Sequence, residues 1–242
     1  MNITTQTALI LIVTGMMATG TPALADKAVD PVAPVRTRAE RDALTPDEVL
    51  ARFKAGNQRF IKGEMTNRDL LKEQRATSAS QYPSAVVLSC MDSRAPAEFL
   101  FDKGIGEIFN ARIAGNVVNP DLIGSLEYAA AVTGAKLVVV MGHTNCGAIG
   151  GAIDHVELGN LTGLLQRIEP AVQAVGDSVG GERKSSNAKF QEAVTRENVV
   201  LAVQELRKTS PILHDLEEKG KIKIVGALYD VSNGEVHFLD KP

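Results

Sequence analysis

From residue 84 onward the chain alternates between short runs that are apolar at nearly every position and longer stretches with helical periodicity. Ala85–Ser89 (AVVLS) and residues 136–141 (KLVVVM) are the clearest runs. Unbroken apolar character, rather than every-other-residue alternation, is what a strand shows when both faces of its sheet are covered. Residues 107–112 (EIFNAR), 222–228 (IKIVGAL) and 235–239 complete the predicted strands, the last entered through an Asn233-Gly234 hairpin turn. Between them, residues 121–132, the segment from Gly147, residues 187–208 and residues 211–219 read as helices. Strands alternating with helices predict an α/β domain, a mostly parallel sheet flanked by helices. An N-terminal helical arm precedes it. Thr45-Pro46-Asp47-Glu48 sets a capping box with proline at the first helical position, Val49, Leu50, Phe53 and Phe60 share a face, and Gly63 marks the end. Residues 26–43, with Pro31 and Pro34, read as an extended tail, and residues 180–188 as a loop.

Composition changes this picture mainly at the N-terminus. The first 25 residues hold no Asp, Glu, Lys or Arg, and an apolar stretch (ALILIV) leads through small residues to Ala23-Leu24-Ala25. That pattern predicts a signal peptide over 1–25, cleaved before Asp26, and therefore export, to a periplasm above all. The apolar stretch is too short and too interrupted to span a bilayer, so no stable membrane anchor is expected after cleavage. The remaining 44–242 suits one domain with one core. A net charge of −3 and the absence of Trp leave neither a basic footprint nor a stacking platform, which excludes nucleic acid as a partner.

Candidate chemistry concentrates in two short segments that hold the chain's two cysteines: Cys90-Met91-Asp92-Ser93-Arg94 and His143-Thr144-Asn145-Cys146. In an exported protein two cysteines can simply pair as a disulfide. A disulfide needs neither an Asp two residues after one cysteine nor a His three residues before the other, whereas a metal site needs both kinds of donor. Each segment follows a predicted strand, and in open parallel sheets ligands bind at the carboxyl ends of strands. Two thiolates and an imidazole favour zinc over magnesium or calcium, at one ion per chain. Asp92 has two options: it closes the metal sphere, giving a structural site, or it pairs with Arg94 and leaves a position for water. In the second case zinc brings the pKa of that water towards about 7, less fully with two thiolates than with three imidazoles. Gly147, Gly150 and Gly151 lack the surrounding signature of a phosphate loop and read as close packing near the metal. His155 could relay protons but reads first as a solvated histidine, and His214 and His237 have no metal-ligand spacing.

These segments resemble the C-x-D-x-R and H-x-x-C zinc motifs of the β-class carbonic anhydrases. The likeness extends to TPDEVLARFKAGNQRF, FNARIAGNVV, SLEYAA and YDVSNGEVHFL, covering roughly residues 45–240. It implies reversible hydration of carbon dioxide to bicarbonate and a proton, zinc held by Cys90, His143 and Cys146, and Asp92 with Arg94 as the dyad beside the reacting water. It implies a substrate pocket with Gln81, Phe109, Ala114 and Tyr128, in which Gln81, Phe109 and Tyr128 lie across a dimer interface from the zinc, and hence a homodimer or a multiple of one. Ala114 stands where the family often has Val, and Gly115 where it often has Ala. Val87 replaces a Trp that some members use at a second, inhibitory bicarbonate pocket, which points to a constitutively open site. The same zinc set in other relatives hydrolyses carbon disulfide or carbonyl sulfide; that activity and a non-catalytic zinc module are the alternatives.

Overall fold

The structure, a computed structural model, describes residues 35–239. The predicted signal peptide and the first part of the tail lie outside the described residues. The tail's remainder departs from the extended expectation: Thr37 and Glu40 form a capping box that starts α1 (Arg38–Asp42). The arm follows as α2 (Pro46–Lys62), with the predicted Thr45–Glu48 box and a left-handed C-cap at Gly63, and then α3 (Leu70–Ala76), capped by Asp69.

The sheet elements come next: β1 (Ala85–Ser89), α4 (Ala97–Leu100), β2 (Ile108–Arg112), α5 (Pro120–Glu127), which runs on through a π turn at Tyr128–Val132, and β3 (Leu137–His143). They are followed by α6 (Gly147–Ile153), α7 (Gly159–Leu165), α8 (Glu169–Val175), α9 (Ala188–Thr209), α10 (Pro211–Glu218), β4 (Lys223–Tyr229) and β5 (Val236–Phe238). The strand order is β2-β1-β3-β4-β5, parallel throughout except for β5, which pairs antiparallel with β4. The predicted α/β class and mostly parallel sheet are thus observed.

Both faces of the sheet are covered, as the unbroken apolar runs require. Ala85 and Val87 of β1 and Leu137, Val139 and Met141 of β3 point into one core with Phe53 of α2 and Leu100 and Phe101 at the end of α4. Val86, Leu88, Val138 and Val140 point into the other, against Leu126, Val199, Val203, Leu206 and Leu213. The arm is fixed by close approach: a β-carbon at Gly56 would lie only 2.0 Å from Phe101 O. Buried Asn57 satisfies itself by donating to Leu100 O and Gly234 O and accepting from Val236 N–H, so α2 is tied to the β4–β5 hairpin.

The topology also locates a crevice. From β1 the chain moves outward to β2 and then returns across β1 to β3. The connection that leaves β1 leads to β2 on one side and the connection that leaves β3 leads to β4 on the other, and the gap this opens at the carboxyl ends of β1 and β3 is where open α/β sheets bind ligands.

Candidate metal centre

Cys90 immediately follows β1, and His143 is the last residue of β3, two residues beyond the predicted strand end. The register Ser89↔Met141 sets these ends side by side. Cys146 occupies the N-cap position of α6, reached through a sharp turn in which Asn145 has φ +55. Thr144 pins that turn to the end of β4: its N–H donates to Tyr229 O, its hydroxyl to Asp230 Oδ1, and it accepts from Val231 N–H.

The donor atoms of Cys90, His143 and Cys146 lie within 4.8 Å of one another, and all three residues are buried. The two sulfurs are 3.9 Å apart. A disulfide requires about 2.05 Å, whereas two thiolates on a tetrahedral zinc at about 2.3 Å each are separated by about 3.8 Å. Both cysteines are free. His143 Nδ1 bonds Thr144 O at 2.9 Å, which fixes the tautomer with the lone pair on Nε2. That Nε2 is buried with no hydrogen-bond partner, and an orphaned buried nitrogen beside two thiols is what a zinc ligand presents. The residues fit the metal.

The thiols are electrostatically unequal. The hydrogen bonds from Cys146 and from the Gly115 N–H draw Cys90 down, against the opposing effect of burial. Cys146 is pushed up by the Cys90 sulfur and by burial. A bound dication would hold both sulfurs as thiolates.

Asp92 does not close the cluster. Arg94 donates from its backbone N–H and Nε to Asp92 Oδ1, both at 2.9 Å, and from Nη2 to Oδ2 at 2.8 Å. These side-chain bonds from Arg94 hold the Asp92 carboxyl far below the usual carboxylate range. Oδ2 nevertheless stays 3.7 Å from His143 Nε2, so the carboxylate borders the metal position without reaching it.

Sequence reasoning missed the groups that hold this loop in shape. Arg112, the last residue of β2, forks over it, donating from Nε to Cys90 O at 3.1 Å and from Nη2 to Asp92 O. Tyr229, paired in register with His143, donates to Arg94 O at 3.1 Å. Arg112 and Tyr229 both lie in segments that resemble the family, FNARIAGNVV and YDVSNGEVHFL; their targets are backbone carbonyls, which leave no mark in a sequence.

The remaining predicted site residues divide by location. Ala114 adjoins the cluster, since Gly115 N–H donates to Cys90 Sγ at 3.4 Å. Gly115 has φ +66, and a β-carbon there would lie 2.6 Å from Ile168 Cδ1; the departure from Ala has a local cause. Gln81 is exposed before the amino end of β1, and Phe109 pairs with Val86. Val86 lies four residue steps before Cys90, about 13 Å along the strand. Tyr128 is 53% exposed and its ring centroid is 6.3 Å from that of Phe109. Gln81, Phe109 and Tyr128 are therefore not gathered with this chain's own cluster. His155 is exposed past the far end of α6, beside Glu169 at 3.8 Å. No helix among the described residues is long and apolar enough to cross a membrane.

Comparison with known proteins bears on this geometry. Residues 85–236 match the family model described as carbonic anhydrase. The chain is 33% identical over 194 residues to carbonic anhydrase 2 of Mycobacterium tuberculosis, covering 78% of this chain and 90% of that protein. It is 35% identical over 186 residues to a carbonic anhydrase of Mycolicibacterium smegmatis, covering 76% and 88%. Among solved structures, a β-carbonic anhydrase of Aspergillus fumigatus superposes with a TM-score of 0.63 at 24% identity, covering 80% of this chain and 90% of that one. One of two β-carbonic anhydrases of Sordaria macrospora, described as tetrameric, superposes at 0.62 and 21% identity, covering 69% and 85%.

Proposed function

The chain belongs to the β-class carbonic anhydrases, and from that membership we propose how its residues divide the work, how its subunits complete the site and where it acts. The protein catalyses the reversible hydration of carbon dioxide to bicarbonate and a proton, with zinc as cofactor on Cys90, His143 and Cys146. The carrying observation is the orphaned His143 Nε2 between two thiols 3.9 Å apart, bordered by a carboxylate that is fully engaged elsewhere. Zinc bound there supplies Lewis-acid activation of water.

The dyad supplies the orientation. Arg94 keeps Asp92 ionised across the neutral range, so Asp92 acts only as an acceptor. A water between the cluster and Asp92 Oδ2 must turn a hydrogen towards that oxygen, which aims a lone pair away from Asp92 and towards carbon dioxide. The proton released leaves by buffer or solvent. A closed, non-catalytic module would need Asp92 inside the cluster; both its oxygens face Arg94 instead. The constitutively open reading rests on that pair. Stopped-flow carbon dioxide hydration with parallel zinc quantification tests it: activity is expected at both about pH 7 and about pH 8.5, and zinc-replete protein silent only at the lower pH refutes the open site.

The functional unit is a homodimer or a multiple of one, with Gln81, Phe109 and Tyr128 serving the partner's zinc. This is supported by the separation of these residues from their own cluster along β1, and by exposed Tyr128 beside Phe109 on the flank of an edge strand. A mixture of Cys90→Ser and Gln81→Ala subunits decides it. Each homodimer is impaired, but a mixed dimer contains one intact site, so activity should reappear on subunit exchange; no recovery in verified mixed dimers refutes completion in trans.

The protein is exported to a periplasm after cleavage before Asp26, on the strength of an uncharged apolar N-terminus ending in Ala23-Leu24-Ala25. Cell fractionation with N-terminal sequencing tests this, and a cytoplasmic chain beginning at Met1 would overturn it.

A further inference from the structure

Helix α9 touches the backbone beside the metal cluster at two points. Its Asn198 donates from Nδ2 to Gly115 O at 2.9 Å, and its Gln191 donates from Nε2 to Cys146 O at 3.1 Å. The two amides are seven residues apart, two helical turns, and so leave the helix on the same face.

Each contact leads directly to a sulfur. The Gly115 residue whose carbonyl Asn198 holds is the one whose N–H points at Cys90 Sγ, at 3.4 Å. Its left-handed backbone, φ +66, is a conformation with few local constraints, because glycine also tolerates the alternatives. Anchoring its carbonyl removes that freedom and fixes the direction of the N–H. Asn198 is 5% exposed, so water does not readily replace it. On the other loop, Gln191 grips the carbonyl of Cys146 itself, at the point where the chain turns into α6. The third ligand, His143, is oriented separately by Thr144 O.

We infer that Asn198 and Gln191 are positioning residues of the metal centre, Asn198 acting on Cys90 through the Gly115 N–H that meets its sulfur and Gln191 acting on Cys146 through that residue's own carbonyl. This rests on the zinc reading of the Cys90–His143–Cys146 cluster. One rigid helix then spans both thiolates and fixes the sulfur–sulfur edge before metal arrives. Partners in this outer shell typically control metal affinity by 10–100-fold.

The test is zinc affinity by chelator competition, together with the thiolate-to-metal charge-transfer band of the cobalt-substituted protein. Wild-type protein is measured first: failure to bind zinc there overturns the zinc reading itself, and with it this inference. Given wild-type binding, Asn198→Leu and Gln191→Leu should each weaken zinc by about 10–100-fold and alter the cobalt band. Val203→Ala supplies the control. It empties space on the same helix at a fully buried position remote from the loops, so it should lower the melting temperature and leave zinc affinity and the cobalt band unchanged. Wild-type affinity and an unaltered band in both amide variants overturn the inference, as does an equal loss of affinity in Val203→Ala. If Asn198→Leu does not fold, Gln191→Leu, a half-buried position, decides alone.

Discussion

Gly115→Ala is a sensitive probe of the packing around the first thiolate, because the family often has Ala at this position while this chain has no room for it. Two costs follow from the structure. The backbone sits at φ +66, ψ 16, and a residue with a β-carbon in the left-handed region costs about 1–2 kcal/mol. The new methyl would also stand 2.6 Å from Ile168 Cδ1 and 3.3 Å from Ala148 Cβ. Ile168 is fully buried, so it can retreat only by leaving its rotamer, for about 0.5–1.5 kcal/mol. The sum is a destabilisation of about 1.5–3.5 kcal/mol, measured by urea unfolding of the zinc-loaded protein. Ile168→Val removes the clashing methyl and alone costs about 0.5–1.5 kcal/mol. Combined with Gly115→Ala it should show a favourable coupling of about 1 kcal/mol, the packing part, while the backbone part persists. A loss below about 0.5 kcal/mol for Gly115→Ala, or a double variant that is simply additive, refutes this account of why glycine stands there.

Three further outcomes follow from the same geometry. Asp92→Ala should retain zinc by metal analysis and lose about 10²–10⁴-fold in hydration rate; loss of zinc would instead make Asp92 a ligand. Lys103, over the Phe53 ring with no carboxylate within ion-pair distance among the described residues, is lowered to about 8, chiefly by burial; Glu107 opposes the shift and Arg36, Arg59 and Arg68 add to it. Its folded pKa lies below the ordinary 10.5, so between the two values the unfolded chain binds the extra proton and stability rises with pH. Urea unfolding at about pH 7.5 and about pH 9.5 should show that rise in the wild type and a smaller one in Lys103→Met, and identical slopes would refute it. Asp102, fully buried and held by Arg59 and Thr66, keeps a carboxyl below its ordinary 3.8: burial alone would raise it, but these hydrogen bonds outweigh that. Its stabilisation is therefore present above the unfolded value and lost as pH falls through the folded one, and Asp102→Asn should cost about 3 kcal/mol at neutral pH and progressively less under acid.

How far the sequence carries depends on the kind of information each element needs. Ala85–Ser89 and the run before His143 were legible because burial on both faces is written into consecutive residues, and the observed division of Val86 and Leu88 from Ala85 and Val87 between two cores is the reason. Helix α2 was legible because its cap, proline and terminal glycine are local chemistry. Helix α7 was not: Gly159 and Gly163 weaken it, and Leu158 offers no side-chain cap, so it exists through packing of Leu165 against Ile153 and Ile168. The short α4 likewise lacks a side-chain cap and is held by α2 closing on Gly56. Helix α1 shows the opposite failure, since two prolines upstream masked a capping box at Thr37 and Glu40.

The site divides along the same line, and the division has a chemical cause. Zinc ligands must be particular side chains at fixed spacing, so Cys90, His143 and Cys146 stand out in a single sequence, and Asp92 and Arg94 do so because a bidentate pair two residues apart is again local. What holds those side chains in place acts on backbone carbonyls from strand ends and a helix far along the chain: Arg112 on Cys90, Tyr229 on Arg94, Gln191 on Cys146 and Asn198 on Gly115. A carbonyl is present at every residue, so its partner is marked only by proximity, and proximity is what the fold supplies. The metal's identity is therefore a property of two short segments, whereas its geometry is a property of β2, β4 and α9. Substitution of Cys90, His143 or Cys146 should abolish zinc binding, whereas substitutions of the supporting residues on those three elements should weaken zinc and misplace it.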